Sequence, residues 1–209
     1  MIISISGLIG AGKDTIADYL VNFHHFRRDS FADSLKDAVS AVFGWDRELL
    51  EGRTRSSRTW RENVDTWWAD RLNIPNLTPR LVLQLWGTEV CRLGFHNDIW
   101  VASIENKLLR HNDNIVISDS RFPNEISAIR KAGGTIIRVI RGHDPIWFDT
   151  AVNYPDRMPT LYPDVHVSEY SWAGTKFDAV VNNNGSIEEL YNTINDLVRD
   201  LQISKVDHS

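Results

Sequence analysis

The 209 residues contain a single cysteine, Cys91. This excludes an internal disulfide and any zinc site built from several thiolates. Long apolar runs are also missing: no window of the sequence reaches the ~18 residues a membrane-spanning helix needs. The opening MIISISGLIGAGK starts like a secretory leader, but it has no basic flank and glycines soon interrupt it. Positive charge is not in excess either: 23 Lys and Arg face 28 Asp and Glu, a net charge of -5. Such a chain has no global field for duplex nucleic acid. There is no internal repeat, low-complexity tract or linker. These absences predict a cytoplasmic protein whose partners include neither a nucleic-acid polymer nor a membrane. A phosphate-bearing ligand must then be held by local groups of Lys and Arg.

What is present suits a folded α/β domain, with 42% of residues apolar and 24% charged. MIISIS at 1–6, IVIS at 115–118, TIIRVI at 135–140 and DAVVNN at 178–183 read as short strands. IVIS is β-branched and continuous, as a strand buried on both faces should be. Helical spacing is evident over 14–23 and 31–43, near 60–72, 79–93 and 98–110, and from 186 onward. Ser186 and Glu189 stand at capping-box spacing, and Pro123 suits a first helical position with Gly133-Gly134 as the stop. Strands alternating with helices predict a mainly parallel central sheet flanked by helices. A single domain is expected over 1–203, with a mobile segment at 44–78, a proline-rich lid-like loop at 141–166 and a tail at 204–209. Eight tryptophans are many for this length, but the count alone does not separate packing from base stacking.

The strongest local signal is Gly7-Leu8-Ile9-Gly10-Ala11-Gly12-Lys13, which matches G-x-x-x-x-G-K between an apolar strand and a helix. Glycines let successive backbone N–H groups face one anion, and the helix start adds unpaired amides. Lys13 brings a point charge to the outer phosphates. Gly7, Gly10, Ala11, Gly12, Lys13, Asp14 and Thr15 are therefore the expected ATP-binding residues. The pattern departs from the general motif at Asp14, where Ser or Thr normally binds magnesium. Either Asp14 takes that role, directly or through water, or the Thr15 hydroxyl does.

Four later segments follow in order: PRLVLQLWGTEVCRLGFHNDIWV (79–101), ISDSRFPNE (117–125), HVSE (166–169) and VVNNNGSIEEL (180–190). With GKDT they resemble the bacteriophage deoxynucleotide monophosphate kinase family, from residue 1 to about 200. The resemblance implies a P-loop NTPase fold of the nucleoside monophosphate kinase type. It also implies ATP with Mg2+ as donor, a deoxynucleoside monophosphate as acceptor, a homodimer and, for a phage-encoded enzyme, the host cytoplasm.

The residues make chemical sense in that light. A phosphate monoester, with its second pKa near ~6, is already an anion at neutral pH and needs no strong base. It needs neutralisation and in-line positioning. Arg80, Gln84, Gly87 and Thr88 match the family segment that lies along the acceptor. Arg80 and Gln84, four apart, share one helix face. Arg121 follows Asp119 at a strand end, where α/β sheets place ligands. Asp119 either holds magnesium, contacts substrate, orients Arg121 or caps the next helix. Glu125 either contacts the acceptor base or favours its helix dipole. Arg61 stands out within the cluster Arg53, Arg55, Arg58 and Arg61, whose alternative is a solvated basic loop. Lys36 resembles a family position near the acceptor, against an ordinary solvated lysine. Trp100 either excludes a 2′-hydroxyl or packs in a core. Arg141 and Arg157 flank or sit in the lid-like loop, within reach of the moving phosphoryl group on this reading. His166, Ser168 and Glu169 are expected to order the lid edge rather than act as a nucleophilic trio. Lys13, Arg61, Arg80 and Arg121 are the expected catalytic cations.

Two other enzyme classes share parts of this pattern. A dephospho-coenzyme A kinase would have the P-loop and strand-end Asp but not R-x3-Q-x2-G-T or D-x-R-F-P-N-E. A P-loop ATPase or GTPase would share the loop. The guanine-specifying N-K-x-D is missing after any strand, since SKVD lies at 204–207. A binding protein without phosphotransfer fits poorly with the negative charge and the complete loop.

Overall fold

The computed structural model describes residues 1–110 and 113–206. It contains five strands, β1 (Ile2–Ser6), β2 (Arg27–Asp29), β3 (Ile115–Ile117), β4 (Thr135–Ile140) and β5 (Ala179–Asn182), in the order β2-β3-β1-β4-β5. Every neighbouring pair is parallel, with Ile3 opposite both Val116 and Thr135. The helices are α1 (Lys13–His24), α2 (Asp33–Phe43), α3 (Arg47–Glu51), α4 (Arg55–Glu62), α5 (Thr66–Leu72), α6 (Pro79–Leu85), α7 (Ile99–Arg110), α8 (Pro123–Lys131), α9 (Phe148–Asn153), α10 (Met158–Leu161), α11 (Val167–Tyr170) and α12 (Ile187–Val206). No helix among the described residues is long and apolar enough to cross a membrane.

The chain packs as two compact units, 1–30 with 107–209 and 31–106. The first contains the sheet. Because side chains alternate along a strand, Ile3 and Ile5 face one side, where they join Val116, Ile137, Val139 and Val181. This side packs on Ile16, Ala17 and Leu20 of α1 and on Leu190, Ile194 and Val198 of α12. Each buried Ile, Leu or Val side chain among these contributes about 1.5–3 kcal/mol of transfer free energy. The other side carries Ser4 and Ser6 and is met by α8. β1 lies centrally, with β3 on one flank and β4 on the other, so the strand order reverses there. A ligand crevice is expected beyond the carboxyl end of β1.

Several elements differ from the sequence reading. β2 has no apolar signal, since only Asp29 of Arg27-Arg28-Asp29 is buried. It forms because β3 offers an edge, and the buried carboxylate is matched by Arg27 and Lys107, both at 3.1 Å. The region 45–63 is helical as α3 and α4, started by the side-chain caps of Asp46 and Thr54. The expected helix near 60–72 is divided at Asn63 and restarts at the Asp65 cap. The region 142–165 is a series of short helical turns rather than one loop. Of the expected tail, 204–206 continue α12, and 207–209 lie outside the described residues.

The second unit is rich in aromatic rings. Trp45, Trp60, Trp67, Trp68, Trp86 and Trp100 are six of the eight tryptophans. Phe43 lies 4.5 Å from Trp45 and 4.7 Å from Trp68, ring centre to ring centre. The indole N–H groups find partners, Trp45 to Asp65 at 2.8 Å and Trp68 to the Phe43 carbonyl at 3.1 Å. After α6 the chain passes into a π-helical stretch, Trp86–Leu93, a form that often marks functional positions.

Candidate active site

The first unit builds an anion cradle at the end of β1. Gly10 and Gly12 have φ of 79° and 104°, a backbone that side-chain-bearing residues rarely adopt. Gly7 is needed for space: a Cβ there would lie 2.6 Å from the Val139 carbonyl oxygen. Gly12 leads straight into α1 with no side-chain cap, so the first-turn amides remain available to an anion. Asn183, past the end of β5, donates from Nδ2 to the Ala11 carbonyl at 2.8 Å and holds the loop from behind. The Lys13 ammonium is folded over the loop, donating to the carbonyls of Gly7 at 2.8 Å and Leu8 at 2.9 Å. Burial, and then the nearby Arg121 charge, lower its pKa, against the opposing pull of Asp14 and Glu169.

Opposite the loop, the end of β3 supplies Ser118, Asp119, Ser120 and Arg121. Ser120 Oγ is 2.8 Å from Ser4 Oγ, which anchors this turn to β1. Asp119 Oδ2 accepts from Ser30 Oγ at 2.5 Å. Arg121 Nη1 is 3.1 Å from Glu169 Oε1 and 3.5 Å from Ser168 Oγ. His166 caps α11 by bonding Ser168, so the H-x-S-E segment orders this edge. Gly7, Lys13, Arg121, Glu169 and Trp172 enclose a cavity of ≈ 10 Å3. That is room for about one water.

Glu125 is 2% exposed, and its Oε2 accepts from the Arg121 and Phe122 amides at 2.8 and 3.2 Å. These bonds place its carboxylate at the start of α8. The cap of α8 is Phe122 with Glu125, and Asp119 stands ahead of that position at the strand end. Arg157 lies over the Tyr154 ring at 5.0 Å, and Arg141 is exposed.

The second unit gathers the other expected cations. Arg61 lies across the turn between α3 and α4, where Gly52 has φ 67° and a Cβ would come within 2.1 Å of the guanidinium. Its Nε is buried without a hydrogen-bond partner, and its Nη1 makes one long contact, 3.4 Å to the Leu50 carbonyl. Burial, and then the charge of Arg80, lower the Arg61 pKa, only partly offset by Glu62 and Glu51. An under-satisfied guanidinium beside a second one favours an anion with several oxygens. Arg80 is exposed and pairs with Glu62 at 2.9 Å, a contact a stronger anion can displace. Gln84 and Thr88 are exposed on the same segment.

Two further residues expected near the acceptor have partners within the second unit. Lys36 is held by Glu51 at 2.9 Å and is 12% exposed. Trp100 is 9% exposed, and its Nε1 donates to the Gly87 carbonyl at 2.9 Å, so it orders the π-helical turn as a core residue. Gly87 itself is buried close against Leu35, where a Cβ would lie 3.0 Å from Cδ2. Two residues that bond to the loop and the start of α1 were not anticipated: Asn183, which lies in a recognised segment, and Arg28. Among the described residues no group of three or more His, Cys, Asp or Glu is arranged to hold a metal.

A glycine-rich turn between a central parallel strand and a helix, with its lysine folded on the loop and an arginine at the neighbouring strand end, defines a P-loop phosphotransferase. Sequence comparison specifies which. The deoxynucleotide monophosphate kinase family matches residues 68–194, more than half of the chain. A protein of Acanthamoeba polyphaga mimivirus described as "Putative deoxynucleotide monophosphate kinase" is 31% identical over 207 residues, covering 93% of this chain and 94% of the relative. The deoxynucleotide monophosphate kinase of Enterobacteria phage T4 is 22% identical over 253 residues, covering 95% and 98%. Among solved structures, shikimate kinase from Aquifex aeolicus aligns over 99% of both chains with a TM-score of 0.44 and 10% identity. The chain belongs to the deoxynucleotide monophosphate kinase family.

Proposed function

We propose that this protein transfers the γ-phosphoryl group of MgATP directly to the phosphate of a deoxynucleoside monophosphate, giving the diphosphate and ADP. The observation that carries this reading is the P-loop cradle with Lys13, in a chain that belongs to this family. ATP lies along Gly7, Gly10, Ala11, Gly12, Lys13, Asp14 and Thr15. Lys13 exchanges its carbonyl partners for phosphate oxygens, and Arg121 exchanges Glu169 for the transferring group.

Arg61 and Arg80 neutralise the acceptor phosphate, with Gln84 and Thr88 beside them on the acceptor segment. The acceptor is already anionic, so no base is assigned. The work is charge neutralisation and alignment of the attacking oxygen with the γ-phosphorus. No covalent enzyme intermediate is involved. Mg2+ enters as the ATP complex, and the side chains expected to meet it are Asp14, Thr15 and Asp119. A homodimer in the host cytoplasm is carried over from the family resemblance.

The test is ADP release in MgATP with dGMP, dTMP, dCMP, dAMP and the four ribonucleotides. Deoxynucleotide-dependent turnover is expected, and Lys13→Ala should lower kcat/KM by about 10²–10³-fold, as removal of an oxyanion-type donor does. ATP hydrolysis indifferent to every monophosphate would replace this reading with an ATPase.

A further inference from the structure

Arg28 takes no part in the reaction as described so far, yet it reaches the phosphate loop. It lies within β2, where its side chain is 19% exposed. Nη2 donates to Ser118 Oγ at 2.7 Å and to the Asp14 carboxylate, and Nη1 donates to Asp18 Oδ1 at 2.8 Å. Ser118 Oγ passes the chain on, donating to Asp14 Oδ1 at 3.1 Å. One guanidinium thus joins the edge strand, the end of β3 and the first turn of α1.

The reason lies in the odd residue of the loop. Position 14 is normally a neutral hydroxyl, and here it is a carboxylate at the mouth of a cradle for a polyanion. An uncompensated negative charge there repels the phosphates that the loop amides attract. An opposite charge with a forked donor both cancels it and fixes its direction. Arg28 supplies that charge. Asp14 and Asp18 are mostly exposed, and an ordinary surface ion pair of this kind is worth little. The difference here is the third contact, to buried Ser118, which ties the pair to the strand end beside the site.

We propose that Arg28 is a positioning residue of the nucleotide site: by neutralising Asp14 and holding it against Ser118, it allows an aspartate-bearing P-loop to accept ADP and ATP. This inference rests on residues 7–15 being the nucleotide cradle. It concerns Asp14, so its signature is a dependence on Asp14 that a merely structural arginine would not show.

The experiment is a calorimetric ADP titration of Arg28→Gln, Asp14→Ser and the double variant, each in EDTA and in MgCl2. In EDTA, Arg28→Gln should weaken ADP by about 10-fold, since the carboxylate then faces the phosphates alone. In MgCl2 the loss should shrink to about 3-fold, because the cation screens the same repulsion. In the Asp14→Ser background, Arg28→Gln should cost less, about 3-fold, because only the arginine's own attraction for the phosphates is lost and no carboxylate is released. Equal losses in both backgrounds, or no loss beside the native Asp14, overturn the proposal. If Arg28→Gln does not fold, Arg28→Lys in the same two backgrounds replaces it. A loss of about 3-fold confined to the Asp14 background supports the role, and equal values in the two backgrounds overturn it. Absence of ADP binding by the unaltered protein would instead refute the nucleotide cradle itself.

Discussion

Glu51→Gln is expected to destabilise the second unit by about 2–3 kcal/mol at neutral pH. Glu51 is 9% exposed and accepts from Lys36 at 2.9 Å and from Arg47, which also reaches Asp33 and Asp37. Burial alone would raise its pKa, but the hydrogen bonds from Arg47 and Lys36 outweigh this and bring it from 4.5 to about 2. Arg47 is shifted upward in turn. At about 1.36 kcal/mol per unit the Glu51 shift corresponds to about 3 kcal/mol. The partners are 12% and 28% exposed, which calls for a modest reduction for solvent screening. Because the folded pKa is depressed, the stabilisation is complete above pH 4.5 and is lost as pH falls towards 2. By pH 3 less than about half of it should remain. Six tryptophans lie in this unit, so urea unfolding followed by fluorescence reports on it directly. In a thermal melt followed the same way, the midpoint temperature should fall by roughly 5–10 °C. A loss below about 1 kcal/mol at pH 7, or a difference from the unaltered protein that is the same at pH 7 and pH 3, would refute the reasoning.

Two further substitutions probe the two anion sites. Gly52→Ala places a Cβ 2.1 Å from the Arg61 guanidinium. The side chain must move, so KM for the deoxynucleotide should rise by about 10-fold with KM for ATP unchanged, a split read from steady-state kinetics. Equal changes in both constants would show that Arg61 does not serve the acceptor. Glu169→Gln removes the carboxylate that Arg121 holds at 3.1 Å. The non-hydrolysable ATP analogue AMP-PNP, which carries the third phosphate, should then bind about 3-fold more tightly by titration, because the anion it displaces is gone. An unchanged affinity would mean that Glu169 does not compete with phosphate.

Much of this protein is determined by residues whose conformational demands are local. Gly10 and Gly12 adopt the positive φ that a phosphate loop requires, and Lys13 begins the helix at once. Pro123 starts α8, and Ser186 and Glu189 close their capping box over α12, because the groups involved lie within one helical turn. The β-branched runs of β1, β3 and β4 carry their burial in their composition, so the parallel sheet was legible as well.

The tertiary structure decided what depends on partners distant in the chain. β2 exists as a strand because β3 offers an open edge, and its own charged residues give no such signal. Glu125 and Trp100 are both buried and hydrogen-bonded to backbone, a setting that their sequence positions left open. Arg28 meets Ser118 across 90 positions and Arg121 meets Glu169 across 48, and no spacing rule reaches so far. Helix and turn preferences are set by neighbours within about four residues, and so the sequence states them directly. The charge balance around a phosphate loop depends on which side chains folding brings within a few ångströms, and only the folded chain decides that.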